Sequence, residues 1–222
     1  MSPNGDDLTF DATTHTYRAG GRVLRSVTSV LRAAGYLDDL FWVPTADARR
    51  RGKTVHLLTH ALEVTGDEWP ATGLERNWLR CPFARPLPEA LVPVVEGDHA
   101  WFIVPHDVHG CLDGFQAFRQ VYRPAWSDWE HAIYHGALGV AGRPDRRGLW
   151  RGQPAVVEYK TGAEAAWHGL QLAGYDLLDP LPFPRKRVSV YFRDDGTFRV
   201  RTWNEAHDYA DFLRAVQGGT DL

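Results

Sequence analysis

Pro154-Ala-Val-Val-Glu-Tyr-Lys-Thr-Gly162 is the stretch on which the reading of this chain turns. Ala155 to Val157 is an apolar, partly β-branched run, and Thr161-Gly162 breaks it, so Pro154 to Lys160 predicts a short, mostly buried strand. Side chains alternate along a strand, which places Glu158 and Lys160 on one face and Tyr159 on the other. A carboxylate and an ammonium that emerge together at the end of a buried strand form either a structural ion pair or a metal ligand beside a catalytic cation. Taken alone, the ion pair is the more economical reading.

The neighbouring segments change that balance. Glu130 to Val140 predicts a strand and Arg143 to Gly152 a turn rich in Gly and Arg, so the two strands form a hairpin and bring Asp145 beside Glu158. Asp145, between Pro144 and Arg146, read alone is a turn residue. Two adjacent carboxylates repel unless neutralised, and oxygen ligands from Asp and Glu are what Mg²⁺ or Mn²⁺ prefer. Downstream, Ala163 to Leu178 predicts a helix with Trp167, Gln171 and Tyr175 at four-residue steps on one face. Strands Arg187 to Phe192 and Phe198 to Trp203 flank the turn Asp194-Asp-Gly196, a hairpin signal, and a helix over Glu205 to Val216 closes the chain. Upstream, Thr13 to Arg25 reads as a hairpin around Gly20-Gly21. Ser26 caps a helix over Val27 to Ala34, and Gly35 stops it. A longer helix runs from Thr45 to about Val64 with Val55, Leu58 and Leu62 as its apolar stripe, and Gly52 interrupts it. Residues 66 to 107 carry many prolines and little periodicity and read as loops with one or two short elements. Leu112 to Tyr122 is helical and Pro124 ends it. Strands and helices in this order predict an α/β fold with a central mixed β-sheet flanked by helices.

At 222 residues the chain suits one domain, 1–222, with a loop-rich insertion at about 66–107. No run of about 18 apolar residues occurs, so a membrane-spanning helix and a membrane partner are not expected. The polar, acidic opening Met1 to Asp7 predicts no signal peptide. Two cysteines, Cys81 and Cys111, are too few for a four-cysteine zinc or iron–sulfur site or a disulfide framework, which points to a reducing cytoplasm. A net charge of −3 argues against a surface that coats nucleic acid throughout. Basic residues nevertheless cluster in Arg49-Arg-Arg-Gly-Lys53, Arg143 to Arg151 and Arg185-Lys-Arg187, and such stripes can hold phosphates.

Gly142-Arg-Pro-Asp145, Val156-Val-Glu-Tyr-Lys-Thr-Gly162 and Gln171-Leu-Ala-Gly-Tyr175, in that order, resemble the RecB-like branch of the PD-(D/E)XK nucleases. Gly52-Lys-Thr-Val-His56 resembles the helical Gly-x-x-x-His motif of the same branch. Ser26-Val-Thr-Ser-Val-Leu31 and the closing hairpin around Asp195-Gly196 are similar to phage-type and mitochondrial exonucleases of this group. The resemblance spans most of the chain outside residues 66 to 107. It implies a restriction-endonuclease-like core, a bacterial or phage-encoded origin, and Mg²⁺- or Mn²⁺-dependent hydrolysis of DNA phosphodiesters. The expected activity is that of an exonuclease acting on single strands or duplex ends in recombination or repair. By the same resemblance Asp145, Glu158, His56 and the carbonyl of Tyr159 hold the metal. Lys160 orients the water or stabilises developing charge, Gln171 approaches the catalytic site, Tyr175 approaches nucleic acid, and Glu130 lies near the metals, a position that a surface strand glutamate explains almost as well. Two departures stand out. Iron–sulfur members use four cysteines, so no cluster is expected here, and Glu158 stands where RecB itself has aspartate, which the superfamily pattern accepts.

Several residues carry a plainer reading beside the functional one. His56 without the downstream motif reads as a helix-packing histidine, and Gln171 and Tyr175 as an ordinary helix face. Arg49, Arg50, Arg51 and Lys53 are ordinarily a solvated surface, yet one turn before His56 they are placed to grip phosphates, as is Arg143. Trp42, Trp69, Trp101, Trp126, Trp129 and Trp150 could stack unpaired bases, although core packing explains most tryptophans more simply. Trp167 differs because it shares a face with Gln171 and Tyr175. His131 and His135 lie too far apart on a strand to pair on zinc. Two other functions fit the same residues: an endonuclease with structural or sequence preference, and a non-catalytic nucleic-acid-binding adaptor, whose mark would be a missing ligand or lysine.

Overall fold

Arg151 and Gly152 set the register of the main sheet: both have positive φ (49° and 76°), the conformation a two-residue type I′ hairpin turn requires, and Trp150 pairs with Gln153 across it. A computed structural model describes residues 8–11, 13–37, 45–81, 94–96, 99–179, 181 and 185–218. In chain order the elements are β1 (Thr9–Asp11), β2 (Thr16–Ala19), β3 (Arg22–Ser26), α1 (Val27–Ala33), α2 (Ala46–Thr65), β4 (Trp78–Arg80), β5 (Val94–Glu96), β6 (His99–Ile103) and α3 (His109–Tyr122). There follow β7 (Ala125–Trp129), β8 (Ile133–His135), β9 (Val140–Gly142), β10 (Arg146–Trp150), β11 (Gln153–Lys160), α4 (Trp167–Leu178), β12 (Lys186–Phe192), β13 (Phe198–Trp203) and α5 (His207–Gly218).

The central sheet has the order β13-β12-β11-β10-β7, with β11 and β12 parallel and the other pairs antiparallel. This is the mixed α/β arrangement that the sequence predicts. Alternation along β11 divides its burial: Ala155, Val157 and Tyr159 pack into a core with Leu58 and Leu62 of α2 and with Phe115 and Phe118 of α3. Val156 packs on the other side with Leu172 and Tyr175 of α4 and Phe212 of α5. Leu58 and Leu62 have no exposed surface, and each such side chain contributes roughly 1.5–3 kcal/mol. A second sheet, β1-β2-β3-β9-β8, carries a small cluster with Tyr17, Leu24 and Ala141.

Ser26 caps α1 by accepting the Ser29 N–H, and Gly35 follows at φ 79°, both at the positions the sequence marks. Four sequence expectations are corrected. Glu130 to Val140 is not one strand: β7 ends at Trp129, Glu130 turns the chain at φ 48°, and the short strands β8 and β9 follow. Arg143 to Gly152 is not one turn, because Arg146–Trp150 is a strand whose arginines are held by buried or half-buried acids. Gly52 does not interrupt α2, which is continuous past it. Helix α4 begins at Trp167 rather than Ala163. Residues 66–107 hold more order than expected, with β4-β6-β5 forming a sheet whose Leu79 and Phe102 enter the core. Residues 1–7 and Trp42 lie outside the described residues. Among the described residues no helix is long and apolar enough to cross a membrane.

Gly142 has a packing role. A Cβ there would lie 2.5 Å from Cε1 and 2.8 Å from Cδ1 of the buried Tyr175 ring. Gly142→Ala is therefore expected to lower stability by about 1–3 kcal/mol, as overpacking does. Urea unfolding checks this; a variant as stable as the parent would show that the ring moves aside freely.

Candidate active site

Three stretches of chain meet at the centre of the site. Helix α2 brings His56, the end of β7 brings Glu130, and the segment entering β10 brings Asp145, whose carbonyl accepts the Glu130 N–H at 3.1 Å. One ligand atom each from His56, Glu130 and Asp145 can be chosen so that all lie within 4.8 Å of one another, and His56 Nδ1 is 3.2 Å from Asp145 Oδ1. An imidazole nitrogen and two carboxylates in that space form a donor set that fits a divalent cation. Each carries a separate signal in sequence, and the fold brings them together from positions 56, 130 and 145.

Glu158 lies beside this group. Its Oε1 accepts the Asp145 N–H at 3.3 Å, and its Oε2 accepts from Lys160 Nζ at 2.8 Å. The two-residue spacing on β11 thus puts Glu158 and Lys160 on the same face, as alternation requires. Tyr159 points away, but its N–H donates to Asp145 Oδ2 at 2.7 Å. Within a strand, N–H and C=O of one residue project to the same side, and the β10–β11 ladder ends at the Arg146–Val157 pair. The Tyr159 carbonyl therefore faces the Asp145 edge beyond the last ladder pair.

Helix α4 completes the cluster. Lys160 Nζ donates to Gln171 Oε1 at 2.9 Å, and Gln171 Nε2 donates to the Tyr175 hydroxyl at 3.1 Å. Lys160 Nζ also sits 5.5 Å from the centre of the Trp167 ring, within range of a cation–π contact. Trp167, Gln171 and Tyr175 thus share the face that their spacing predicts. Helix α4 is anchored from its far end, where Arg185 pairs with Asp176 and Asp179 and Arg147 pairs with Asp179 and Asp128.

Electrostatics mark the same residues. Burial, reinforced by the Asp145 charge, pushes Glu158 up to about 7, with Lys160 opposing. Burial acts to raise Asp145 as well, but His56 first, then Lys160 and Arg146, hold it at about 2. Burial lowers His56, yet the Asp145 carboxylate outweighs it and the imidazole ends above its ordinary value. The Asp145 carboxylate thus favours the protonated form of the imidazole.

The candidate nucleic-acid contacts are placed less uniformly. Arg49 and Lys53 are exposed, whereas Arg50 pairs with Asp107 at 2.7 Å and Arg51 with Asp194 at 2.5 Å. Arg143 lies against Glu130 at 3.2 Å and over the Phe10 ring. Trp69 and Trp150 belong to the core, and Trp126 donates to Glu63. Three residues of this neighbourhood escaped the sequence reading: His60, Glu63 and Arg146. His60 and Glu63 follow His56 at four and seven residues, a one-face helical spacing that marks them in retrospect. Burial, and then the Arg146 charge, push His60 below the ordinary histidine value.

Fold and site together define a mixed α/β protein with a histidine–carboxylate cluster at the end of its central sheet. No protein-family model matches the sequence, and no curated protein matches it. Among solved structures the chain is similar to one titled "Crystal structure of SSO0001", at 22% identity over 46% of this chain and 52% of that chain, with a TM-score of 0.31. The match thus spans about half the length of that chain.

Proposed function

We propose that this chain is a metal-dependent DNA nuclease that hydrolyses phosphodiester bonds, acting as an exonuclease on DNA ends or single strands. The observation that carries the reading is the meeting of His56, Glu130 and Asp145 within 4.8 Å, with Glu158 and Lys160 beside them. Asp145, Glu130, His56, Glu158 and the Tyr159 carbonyl are the groups that would hold Mg²⁺ or Mn²⁺. A bound divalent cation supplies charge neutralisation at the scissile phosphate and a lower pKa for the attacking water.

The remaining work belongs to side chains. Lys160, a compact point cation, stabilises charge on the non-bridging oxygens and orients the water. Gln171 fixes the Lys160 ammonium through its carbonyl oxygen, and Tyr175 fixes Gln171 in turn. Trp167 offers an aromatic face beside Lys160 for an unpaired base. Arg49 and Lys53, exposed on the helix that carries His56, would meet phosphates further along the strand.

The test is cleavage of end-labelled single-stranded, duplex and circular DNA, and of RNA, with Mn²⁺ or Mg²⁺ and with chelator. Linear DNA degraded only with metal, and circular DNA spared, is the expected result. Cleaved circles would replace the exonuclease with an endonuclease, and no cleavage of any substrate would reduce the chain to a binding module.

A pH dependence follows from the site's protons. Glu158 rises in the fold from 4.5 to about 7, so its contribution to metal-free stability is present below 4.5 and is lost as pH climbs towards 7. His56 is raised too, so its contribution is complete below 6.5 and is lost as pH passes its folded value. A cation must displace both protons. The rise in melting temperature produced by Mn²⁺ should therefore be larger near pH 8 than near pH 6, where more protons must leave. Equal shifts at both pH values in differential scanning calorimetry would contradict this.

A further inference from the structure

Beneath the site lies a charged pair that packing alone does not require. Glu63 and Arg146 have side chains only 6% and 1% exposed, and Arg146 Nε donates to Glu63 Oε2. The other carboxylate oxygen, Glu63 Oε1, accepts from the Tyr159 hydroxyl at 2.9 Å and from Trp126 Nε1 at 3.0 Å. Arg146 Nη1 donates to the Asp145 carbonyl at 2.6 Å, and its guanidinium lies 4.8 Å from the centre of the Tyr159 ring. Its remaining nitrogen, Nη2, is buried with no hydrogen-bond partner among the described residues.

Such a pair is a poor means of stabilising a core. Removing two charges from water costs on the order of several kcal/mol per ion, and apolar side chains of similar volume often do as well or better. An unpartnered buried donor adds to the cost. What apolar side chains cannot do is aim directional bonds. These bonds join three elements at the point where each presents a candidate ligand. Glu63 is two turns from His56 on α2, Arg146 follows Asp145 and bonds its carbonyl, and the Tyr159 side chain lies behind the carbonyl on β11.

We infer that Glu63 and Arg146 are positioning residues, a buried clamp that holds Asp145 and the Tyr159 carbonyl in register with His56 around one divalent cation. The inference rests on the nuclease reading and adds residues that touch neither the cation nor DNA. Outer partners of this kind typically change metal affinity or activity by about 10–100-fold when replaced.

Two variants test it. The double variant Glu63→Gln/Arg146→Met removes both charges, keeps an acceptor for Tyr159 and Trp126, and fills the space over the Tyr159 ring. Arg146→Lys keeps the charge opposite Glu63 but cannot bond Glu63 and the Asp145 carbonyl at once through the separate Nε and Nη1 donors of the guanidinium. Mn²⁺ affinity by isothermal titration, melting temperature, and kcat and KM on linear DNA are measured for each beside the parent. The clamp predicts Mn²⁺ binding weaker by about 10–100-fold, a fall in kcat with KM for DNA little changed, and a melting temperature near the parent's in at least the lysine variant. Should the double variant fail to fold, the lysine variant alone decides. Parental Mn²⁺ affinity and kcat in a folded variant would overturn the clamp and leave the nuclease reading intact. A parent that neither binds Mn²⁺ nor cleaves DNA would overturn both.

Discussion

Replacing Lys160 with alanine is expected to reduce DNA hydrolysis by about 10²–10³-fold, the usual cost of losing one charge-stabilising donor, while the chain stays folded. The fold survives because Lys160 stands at the end of β11 with its side chain 16% exposed, outside both cores. The carboxylate it leaves behind, Glu158, already sits at about 7 and takes up a proton near neutrality instead of remaining charged and unpaired. Activity should accordingly recover little at any pH, and what remains should shift to higher pH. Single-turnover cleavage by the variant, with circular dichroism as the control for folding, gives the comparison. Turnover equal to the parent's would assign Lys160 to the ion pair with Glu158 and nothing more.

Asp145→Asn is expected to be the more severe change. Asp145 offers a candidate ligand atom within reach of His56 and Glu130, accepts the Tyr159 N–H, and carries the charge that raises His56. The amide can still accept from Tyr159, so the local backbone should hold. Its neutrality removes one of the candidate carboxylate ligands, and losing metal stabilisation worth several kcal/mol amounts to about 10³-fold or more in rate. A second readout is independent of catalysis. With the Asp145 charge gone, burial is left to dominate at His56, and its titration midpoint in a proton NMR experiment should move down. An unchanged His56 titration would mean that the pairing at 3.2 Å does not govern the imidazole.

The parts of the molecule that were legible in sequence are those where local chemistry and tertiary placement agree. Glu158 and Lys160 could be put on one face because an apolar run fixes β11 as a strand and alternation does the rest. Ser26, Gly35 and the Asp194-Asp-Gly196 turn mark their boundaries by capping and turn chemistry that acts within a few residues. The candidate site followed from the same logic: His56, Asp145, Glu158, Lys160, Gln171 and Tyr175, named from spacing and resemblance, lie in one continuous cluster.

What could not be read depends on distant partners. Arg146 to Trp150 looks like a turn because it carries two arginines and a glycine, yet it is a strand paired with β11 and β7, its Arg146 bonded inside the core to Glu63, 83 residues away. Glu130 breaks the strand that its neighbours suggest, with neither glycine nor proline to announce the turn. The clamp residues were missed for the same reason, since a buried Glu–Arg pair has no local signature and a helical glutamate reads as solvent-facing.

The sharing of one cation by groups from α2, the end of β7 and the entry to β10 is tested most directly by a crystal grown with Mn²⁺. It predicts an anomalous-difference peak within about 2.0–2.5 Å of His56 and Asp145 ligand atoms, with Glu130 and Glu158 turned towards it. A map with no peak there, or with Mn²⁺ bound elsewhere while His56 and Asp145 stay paired to each other, would contradict it.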